Sequence, residues 1–143
     1  MMGHVLITGG ATGLGLATAE AMGKTHRVSI IGRRGAVAEA AASALPEAAA
    51  FAADVTDEAA LTTAVRAAEE RFGPVNVLVA AAGVSETAPI ARTETDMLRT
   101  LFRVNVEGVL NAIRPVLPSM IDAGRGRVNA LASTAALKGY AYA

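Results

Sequence analysis

Near its start the chain reads Val5-Leu6-Ile7-Thr8-Gly9-Gly10-Ala11-Thr12-Gly13-Leu14-Gly15, an apolar run that leads directly into a glycine-rich turn. Gly9 allows a tight turn, Gly13 lets the main chain approach a ligand, and Gly15 lets the next helix pack close to the strand. The free N–H groups and positive dipole end of that helix favour an anion. This context favours a dinucleotide pyrophosphate site, and glycines that serve only a turn are the alternative.

Strands and helices alternate along the whole chain. The apolar patterns predict strands over 5–8, 27–31, 75–80 and 127–132, and helices over 14–24, 36–45 and from a cap at Thr56 or Asp57 to Phe72. The alanine-rich stretch 49–53 has little strand propensity and is predicted to be a strand from its place in the alternation. Such alternation implies parallel βαβ units. The predicted fold is therefore α/β, a Rossmann-type doubly wound parallel sheet with about five strands, in a single domain over residues 1–143.

A long helical region precedes the last predicted strand. Thr93-Glu94-Thr95-Asp96 has the pattern of a capping box that opens it. Pro115 and Pro118 are predicted to break or kink it, because proline removes a helix hydrogen bond. Gly124 and Gly126 are expected to end it.

Composition excludes several classes of function. The 143 residues carry no net charge, contain no cysteine and are 52% hydrophobic. Without a basic run, we expect no nucleic-acid or membrane partner, and without cysteine no disulfide and no cysteine-based metal site. No metal-binding residues are predicted. The first strand begins almost at Met1, so we expect no signal peptide, and the longest apolar stretch, 77–84, is too short to span a bilayer. The predicted location is the cytoplasm.

Four landmarks resemble the classical short-chain dehydrogenases/reductases. They are the opening glycine motif, Asp54 after the third strand, Asn105 in Val104-Asn105-Val106, and Ser133 at the end of the fifth strand. The resemblance covers nearly the whole chain. It implies that the pyrophosphate is held by Gly9, Thr12, Gly13, Leu14 and Gly15.

The same resemblance implies roles for the other landmarks. Asp54 would contact the adenine, with Val55 packed beside it, and Ser133 would hydrogen-bond the substrate oxygen. Asn105 would bend the long helix and hold a water of a proton relay. Each also has a plainer interpretation: Asp54 as a strand-end turn former, Asn105 as a helix-surface residue, and Ser133 as a structural serine. His4 and His26 fit no acid–base arrangement, and we expect them to be packed or solvated.

The end of the second strand predicts the cofactor. It reads Ile31-Gly32-Arg33-Arg34, without the acidic residue that would pair with the ribose hydroxyls of NAD. Guanidinium groups bind phosphate bidentately, so Arg33 and Arg34 favour the 2′-phosphate of NADP, with NAD as the second choice. A solvated arginine pair in a loop is the alternative.

The chain departs from the family pattern in Ala80-Ala81-Ala82-Gly83, where the family usually has two asparagines before Ala-Gly. Those side chains tie neighbouring strands together, so their loss affects stability. Cofactor contacts through the backbone of Ala81 and Gly83 need no side chain and can persist.

A second departure concerns proton transfer. The resemblance places the catalytic Tyr and Lys just beyond Ala143. Tyr140 and Tyr142 lie too close to Ser133 and are not followed by lysine, so packing is the plainer interpretation of both. We therefore expect a part of a longer enzyme, truncated before the Tyr/Lys helix. An open fifth strand and an uncovered helix would promote association, so a homo-oligomer, either dimer or tetramer, is predicted.

The resemblance implies an NAD(P)-dependent oxidoreductase that transfers a hydride between the nicotinamide and a small-molecule carbonyl or secondary alcohol. The stretch from Ala132 to Tyr140 is similar to members that act on 3-oxoacyl or 3-hydroxyacyl substrates. A truncated nucleotide-binding module without catalysis is the competing hypothesis. A Rossmann-like transferase with another nucleotide cofactor is less favoured, because it gives Asn105 and Ser133 no role.

Overall fold

The computed structural model describes residues 2–139 and contains a five-stranded, entirely parallel sheet in the order β3-β2-β1-β4-β5. The strands are β1 (His4–Thr8), β2 (Arg27–Gly32), β3 (Ala48–Ala52), β4 (Val77–Ala80) and β5 (Arg127–Ala130). The helices are α1 (Gly13–Met22), α2 (Gly35–Ser43), α3 (Glu58–Phe72), α4 (Thr95–Phe102) and α5 (Gly108–Asp122). The predicted Rossmann-type α/β fold is confirmed, and most predicted boundaries lie within two residues of the observed ones.

Two apolar cores lie on opposite faces of the sheet, because successive side chains of a strand point to opposite sides. On one face Val5, Ile7 and Ile30 pack with alanines of α1 and α2. On the other, Leu6 and Leu78 pack with residues of α3 and α5. Both faces of β1 and β2 are therefore buried, which explains the unbroken apolar run Val5-Leu6-Ile7 of β1.

His4 is packed at the amino end of the sheet and is only 1% exposed. Its Nδ1 lies 2.7 Å from the carbonyl oxygen of Gly73, and its Nε2 lies 2.8 Å from the Ser29 hydroxyl. A carbonyl only accepts, so Nδ1 carries the hydrogen and Nε2 accepts from Ser29 in the neutral ring. Burial lowers the pKa of His4 below its usual value, so the imidazole is a neutral structural group.

The long helical region is interrupted before its two prolines, not at them. α4 passes into a π-helical segment, Arg103–Glu107, and then into α5, which contains both Pro115 and Pro118 without a break. The predicted break at the prolines is therefore wrong, and the alternative of a kink stays a prediction. The buried residues Ala112, Val116 and Met120 hold α5 against the core, and this packing outweighs the lost hydrogen bonds.

The capping box predicted at the start of this region is also wrong. α4 begins at Thr95 with Glu94 at the N-cap position, and no side chain caps it. The Thr93 hydroxyl instead donates to the carbonyl oxygen of Pro89, 3.2 Å away. A short 3₁₀ turn over Ile90–Arg92 takes Thr93 out of the capping geometry.

The last strand and the outer face of the long helical region are exposed. β5 lies at an edge of the sheet and is exposed along its length. An apolar stripe runs along the outside of α4, the π-helical segment and α5, formed by the exposed side chains Leu98, Phe102, Val106, Leu110, Leu117 and Ile121. Among the helices of residues 2–139, none has the length and apolar character needed to cross a bilayer.

Candidate functional site

A cleft of about 930 Å³ opens at the carboxyl ends of the strands. The chain leaves β1 toward one side of the sheet and β4 toward the other, and α/β sheets bind ligands at such a switch point. The volume lies within the usual range for small-molecule sites. The cleft is lined by all the residues proposed from the sequence: Gly9, Thr12, Gly13, Leu14, Gly15, Arg33, Arg34, Asp54, Val55, Ala81, Gly83, Asn105 and Ser133.

Three glycines shape the turn between β1 and α1. Gly9 has φ of +70°, and an added Cβ would lie 2.7 Å from the backbone nitrogen of Ala82. An added Cβ on Gly15 would overlap the carbonyl oxygen of Gly9. Gly13 has φ of +55° and nothing within 4 Å of an added Cβ, so it borders open space in the cleft. The turn is closely packed at two glycines and open at the third.

The start of α1 is aimed at this open space. Thr12 occupies the N-cap position, but its side chain makes no capping hydrogen bond. The first-turn N–H groups of a helix have no partner within the helix. They remain available to an anion beside Gly13.

Arg33 and Arg34 follow β2 at the rim of the cleft, and both are exposed. The Nη1 of Arg33 lies 3.9 Å from Oδ2 of Asp54. An exposed ion pair of this length contributes little to stability, so Arg33 can exchange the carboxylate for a phosphate. The guanidinium groups of Arg33 and Arg34 therefore lie at the carboxyl end of β2, and Arg33 also contacts Asp54 after β3.

Asp54 forms a turn and also faces the cleft. Its Oδ1 accepts hydrogen bonds of 2.9 Å from the backbone N–H and the hydroxyl of Thr56. Burial alone would raise the pKa of Asp54, but the Thr56 hydrogen bonds and the Arg33 charge outweigh it and lower the pKa below its usual value. Asp54 is therefore a carboxylate that both forms the turn and presents Oδ2 as an acceptor.

Asn105 lies in the π-helical segment and braces the loop after β4. Its Oδ1 accepts from the backbone N–H of Val84, and its Nδ2 donates to the carbonyl oxygen of Val84, both at 2.9 Å. The side chain is thus more than a plain surface residue. Amide oxygen and nitrogen each keep capacity for one more hydrogen bond, so a role in holding water stays a prediction.

Ser133 does not end the fifth strand as predicted, because β5 stops at Ala130. It begins a 3₁₀ turn, and its Oγ accepts from the backbone N–H of Ala135 at 3.2 Å. The hydroxyl hydrogen is left for another acceptor, such as a substrate oxygen. Tyr140 and Tyr142 lie outside the described residues.

The alanines after β4 are tied to β1 through the backbone. The N–H of Ala81 donates to the carbonyl oxygen of Thr8 at 3.1 Å, and the N–H of Ala82 lies 3.4 Å from the Thr8 hydroxyl. The N–H of Leu131 donates to the carbonyl oxygen of Ala80 at 3.0 Å. These bonds hold the strand ends together without asparagine side chains.

Two residues that hold Val55 at the site were missed from the sequence. Asn111 donates from Nδ2 to the carbonyl oxygen of Val55 at 2.9 Å, and Gly108 lies directly against the Val55 side chain. Neither borders a strand end or belongs to a recognised motif. A polar residue and a glycine inside a helical pattern carry no local signal of this contact.

Comparison with known proteins agrees with this geometry. Residues 3–143 match the family described as short chain dehydrogenase. The chain belongs to the short-chain dehydrogenase family. The resemblance found in the sequence is thus confirmed, and with it the assignment to a family of oxidoreductases with a nucleotide-binding fold.

Members of this family from distant organisms are similar to the chain. Sorbitol dehydrogenase of Cereibacter sphaeroides is 37% identical over 95% of the chain and 54% of its own length. The 3-oxoacyl-[acyl-carrier-protein] reductase of Rattus norvegicus is 33% identical over 93% of the chain and 57% of its own length. The solved structure of an actinorhodin polyketide ketoreductase variant with NADPH matches with a TM-score of 0.95 and 30% identity, over 99% of this chain and 57% of that one. The chain thus spans about half the length of these short-chain dehydrogenases.

Proposed function

We propose that this chain binds NADP as the cofactor-binding part of an oxidoreductase acting on a carbonyl or secondary alcohol. The observation that carries the proposal is the cleft that combines an open glycine turn at Gly13 with two arginines, Arg33 and Arg34. The cofactor would supply the hydride when bound. The chain's own residues bind and orient the cofactor and the substrate oxygen.

The glycine turn fits a pyrophosphate. Gly13 borders open space, and the uncapped start of α1 offers N–H groups beside it. Ala81 and Gly83, in the loop after β4, also line the cleft. Asp54 offers a carboxylate oxygen to the amino group of an adenine packed against Val55.

The arginines favour NADP over NAD. The Arg34 side chain makes no hydrogen bond or ion pair with the described residues, and the Arg33 guanidinium has only the long contact to Asp54. Both are suited to a doubly charged phosphate. The similar actinorhodin ketoreductase was solved with NADPH, which supports a nicotinamide cofactor here.

The residues of the cleft support substrate positioning. Ser133 would donate its hydroxyl hydrogen to the carbonyl oxygen, and Asn105 would hold the β4 loop and a relay water. The family resemblance assigns proton transfer to a Tyr and Lys that match no described residue. Similarity to a 3-oxoacyl reductase and a polyketide ketoreductase supports 3-oxoacyl compounds as the substrate class.

A second candidate is a nucleotide-binding module without catalysis. One relative, 38% identical over 79% of the chain, is the "Inactive 2-(S)-hydroxypropyl-CoM dehydrogenase 2" of Xanthobacter autotrophicus. Tight NADP binding without turnover of any carbonyl substrate would favour this candidate.

Arg33→Asp combined with Arg34→Ala tests the proposal. Loss of charge-assisted bonds costs about 1.5–3 kcal/mol each, so we expect the Kd of NADPH to rise at least about 100-fold. The Kd of NADH should stay within about threefold, because NADH has no 2′-phosphate. Arg66→Asp with Arg71→Ala, on α3 outside the cleft, makes the same charge change and should alter neither affinity. Unchanged preference for NADPH in the first variant would refute the role of the arginines.

A further inference from the structure

Two residues of α5 hold the backbone that follows β3. Asn111 is 8% exposed and donates from Nδ2 to the carbonyl oxygen of Val55 at 2.9 Å. Gly108 lies one helical turn earlier, and an added Cβ would come within 2.7 Å of Val55 Cγ2 and 3.1 Å of Val55 Cβ. The helix therefore approaches Val55 more closely than any side chain at position 108 would permit.

Val55 is also held by the turn in which it lies. It follows Asp54, whose Oδ1 closes a turn with Thr56 through two hydrogen bonds. Val55 is 6% exposed, yet it lines the cleft together with Val104 and Val109 of the long helical region. These three valines form an apolar wall beside the carboxylate of Asp54, a combination suited to a flat purine with a polar edge.

We propose that Asn111, supported by Gly108, is a positioning residue that sets Val55 as the wall of an adenine slot. The inference rests on the proposed function, because it concerns the adenosine half of the same cofactor. Without the amide, the Val55 carbonyl is left buried and unsatisfied, and the turn has to tilt to regain a partner. That tilt moves the wall at the adenine end and leaves the end of the cleft near Ser133 in place.

The affinities for the two halves of the cofactor can therefore be compared. A purely structural role of Asn111 would not weaken the binding of one half selectively. Asn111→Leu keeps the approximate shape of the side chain and removes the donor. We expect the Kd values of 2′,5′-ADP and NADPH to rise about tenfold, which corresponds to about 1.4 kcal/mol. The Kd of reduced nicotinamide mononucleotide, which lacks the adenosine half, should not change.

Asn76→Leu is the matched control. Asn76 lies at the opposite end of the sheet, where its Oδ1 accepts from the backbone N–H of His4 at 2.8 Å. Its replacement also removes an amide-to-backbone hydrogen bond and lowers Tm. It should leave the affinities for both halves of the cofactor unchanged.

Gly108→Ala is an independent perturbation of the same wall. Gly108 has helical dihedral angles, φ −60° and ψ −34°, so alanine suits the helix and the new Cβ acts only by pushing on Val55. This variant should also bind 2′,5′-ADP more weakly, with no change in the affinity for reduced nicotinamide mononucleotide. It replaces Asn111→Leu in the test if that variant does not fold.

The inference would be overturned if the folded variants bind 2′,5′-ADP with normal affinity, or if they bind 2′,5′-ADP and reduced nicotinamide mononucleotide equally more weakly. Either result would leave the proposed function intact. Failure of the unmodified chain to bind 2′,5′-ADP or NADPH would overturn both.

Discussion

Gly15→Ala tests whether close packing of α1 on the β1 turn requires glycine. The added Cβ would overlap the carbonyl oxygen of Gly9 and lie 2.8 Å from its carbonyl carbon and 3.0 Å from the Cα of Gly10. All three are backbone atoms, so no side-chain rotation relieves the overlap. Overpacking costs about 3 kcal/mol at the upper end of its usual range, and alanine regains about 1 kcal/mol in a helix, which leaves about 2 kcal/mol.

The loss is measured by urea unfolding and by thermal melting, each followed by circular dichroism. A loss of about 2 kcal/mol should lower Tm by about 8 °C in a domain of this size. Gly13→Ala is the matched control, because its Cβ meets nothing within 4 Å and only the positive φ of +55° is strained. That strain costs about 1 kcal/mol. A Gly15→Ala variant that is as stable as Gly13→Ala, or more stable, would refute the packing argument.

Three further predictions concern stability and association. Folding lowers the pKa of His4 from 6.5, so the folded chain binds fewer protons than the unfolded chain below that pH. The free energy of unfolding should therefore fall as pH drops below 6.5. Urea unfolding at several pH values should show a smaller fall in the His4→Gln variant. Asn105→Leu removes both bonds to Val84 and should cost about 1–2 kcal/mol in the same assay, so unchanged stability would contradict the bracing role. We also predict that the chain self-associates through the apolar stripe. Sedimentation velocity should show less association in the variant that combines Phe102→Glu and Leu110→Glu. A monomeric unmodified chain would contradict this prediction.

The fold could be predicted because local signals agreed with one another. The glycine turn between Thr8 and Gly15, together with alternating strands and helices, implied a parallel sheet with its cleft at the carboxyl ends. Once that sheet is assumed, residues that follow strands, such as Asp54 and Arg33, must lie at the same edge. Even the alanine-rich β3, which has little strand propensity of its own, was found from its place in the alternation.

The errors arose where tertiary packing decides the outcome. Pro115 and Pro118 oppose a helix locally, but the buried face of α5 maintains one. The residues around Asn105 carry no local signal of a π-helix, and only the family resemblance implied a bend at this position; the Asn105 side chain contacts Val84, which is distant in sequence. The contact between Asn111 and Val55 joins residues 56 positions apart and could be recognised only in the folded chain.

Binding of the cofactor at the glycine turn is tested by calorimetric titration of NADPH into the chain and into Gly13→Val, with folding of both checked by circular dichroism. We expect saturable binding to the unmodified chain and none to the variant, because a valine side chain would fill the open space beside Gly13 where the pyrophosphate is proposed to lie. Absence of binding to the unmodified chain, or equal affinity in the variant, would contradict this expectation.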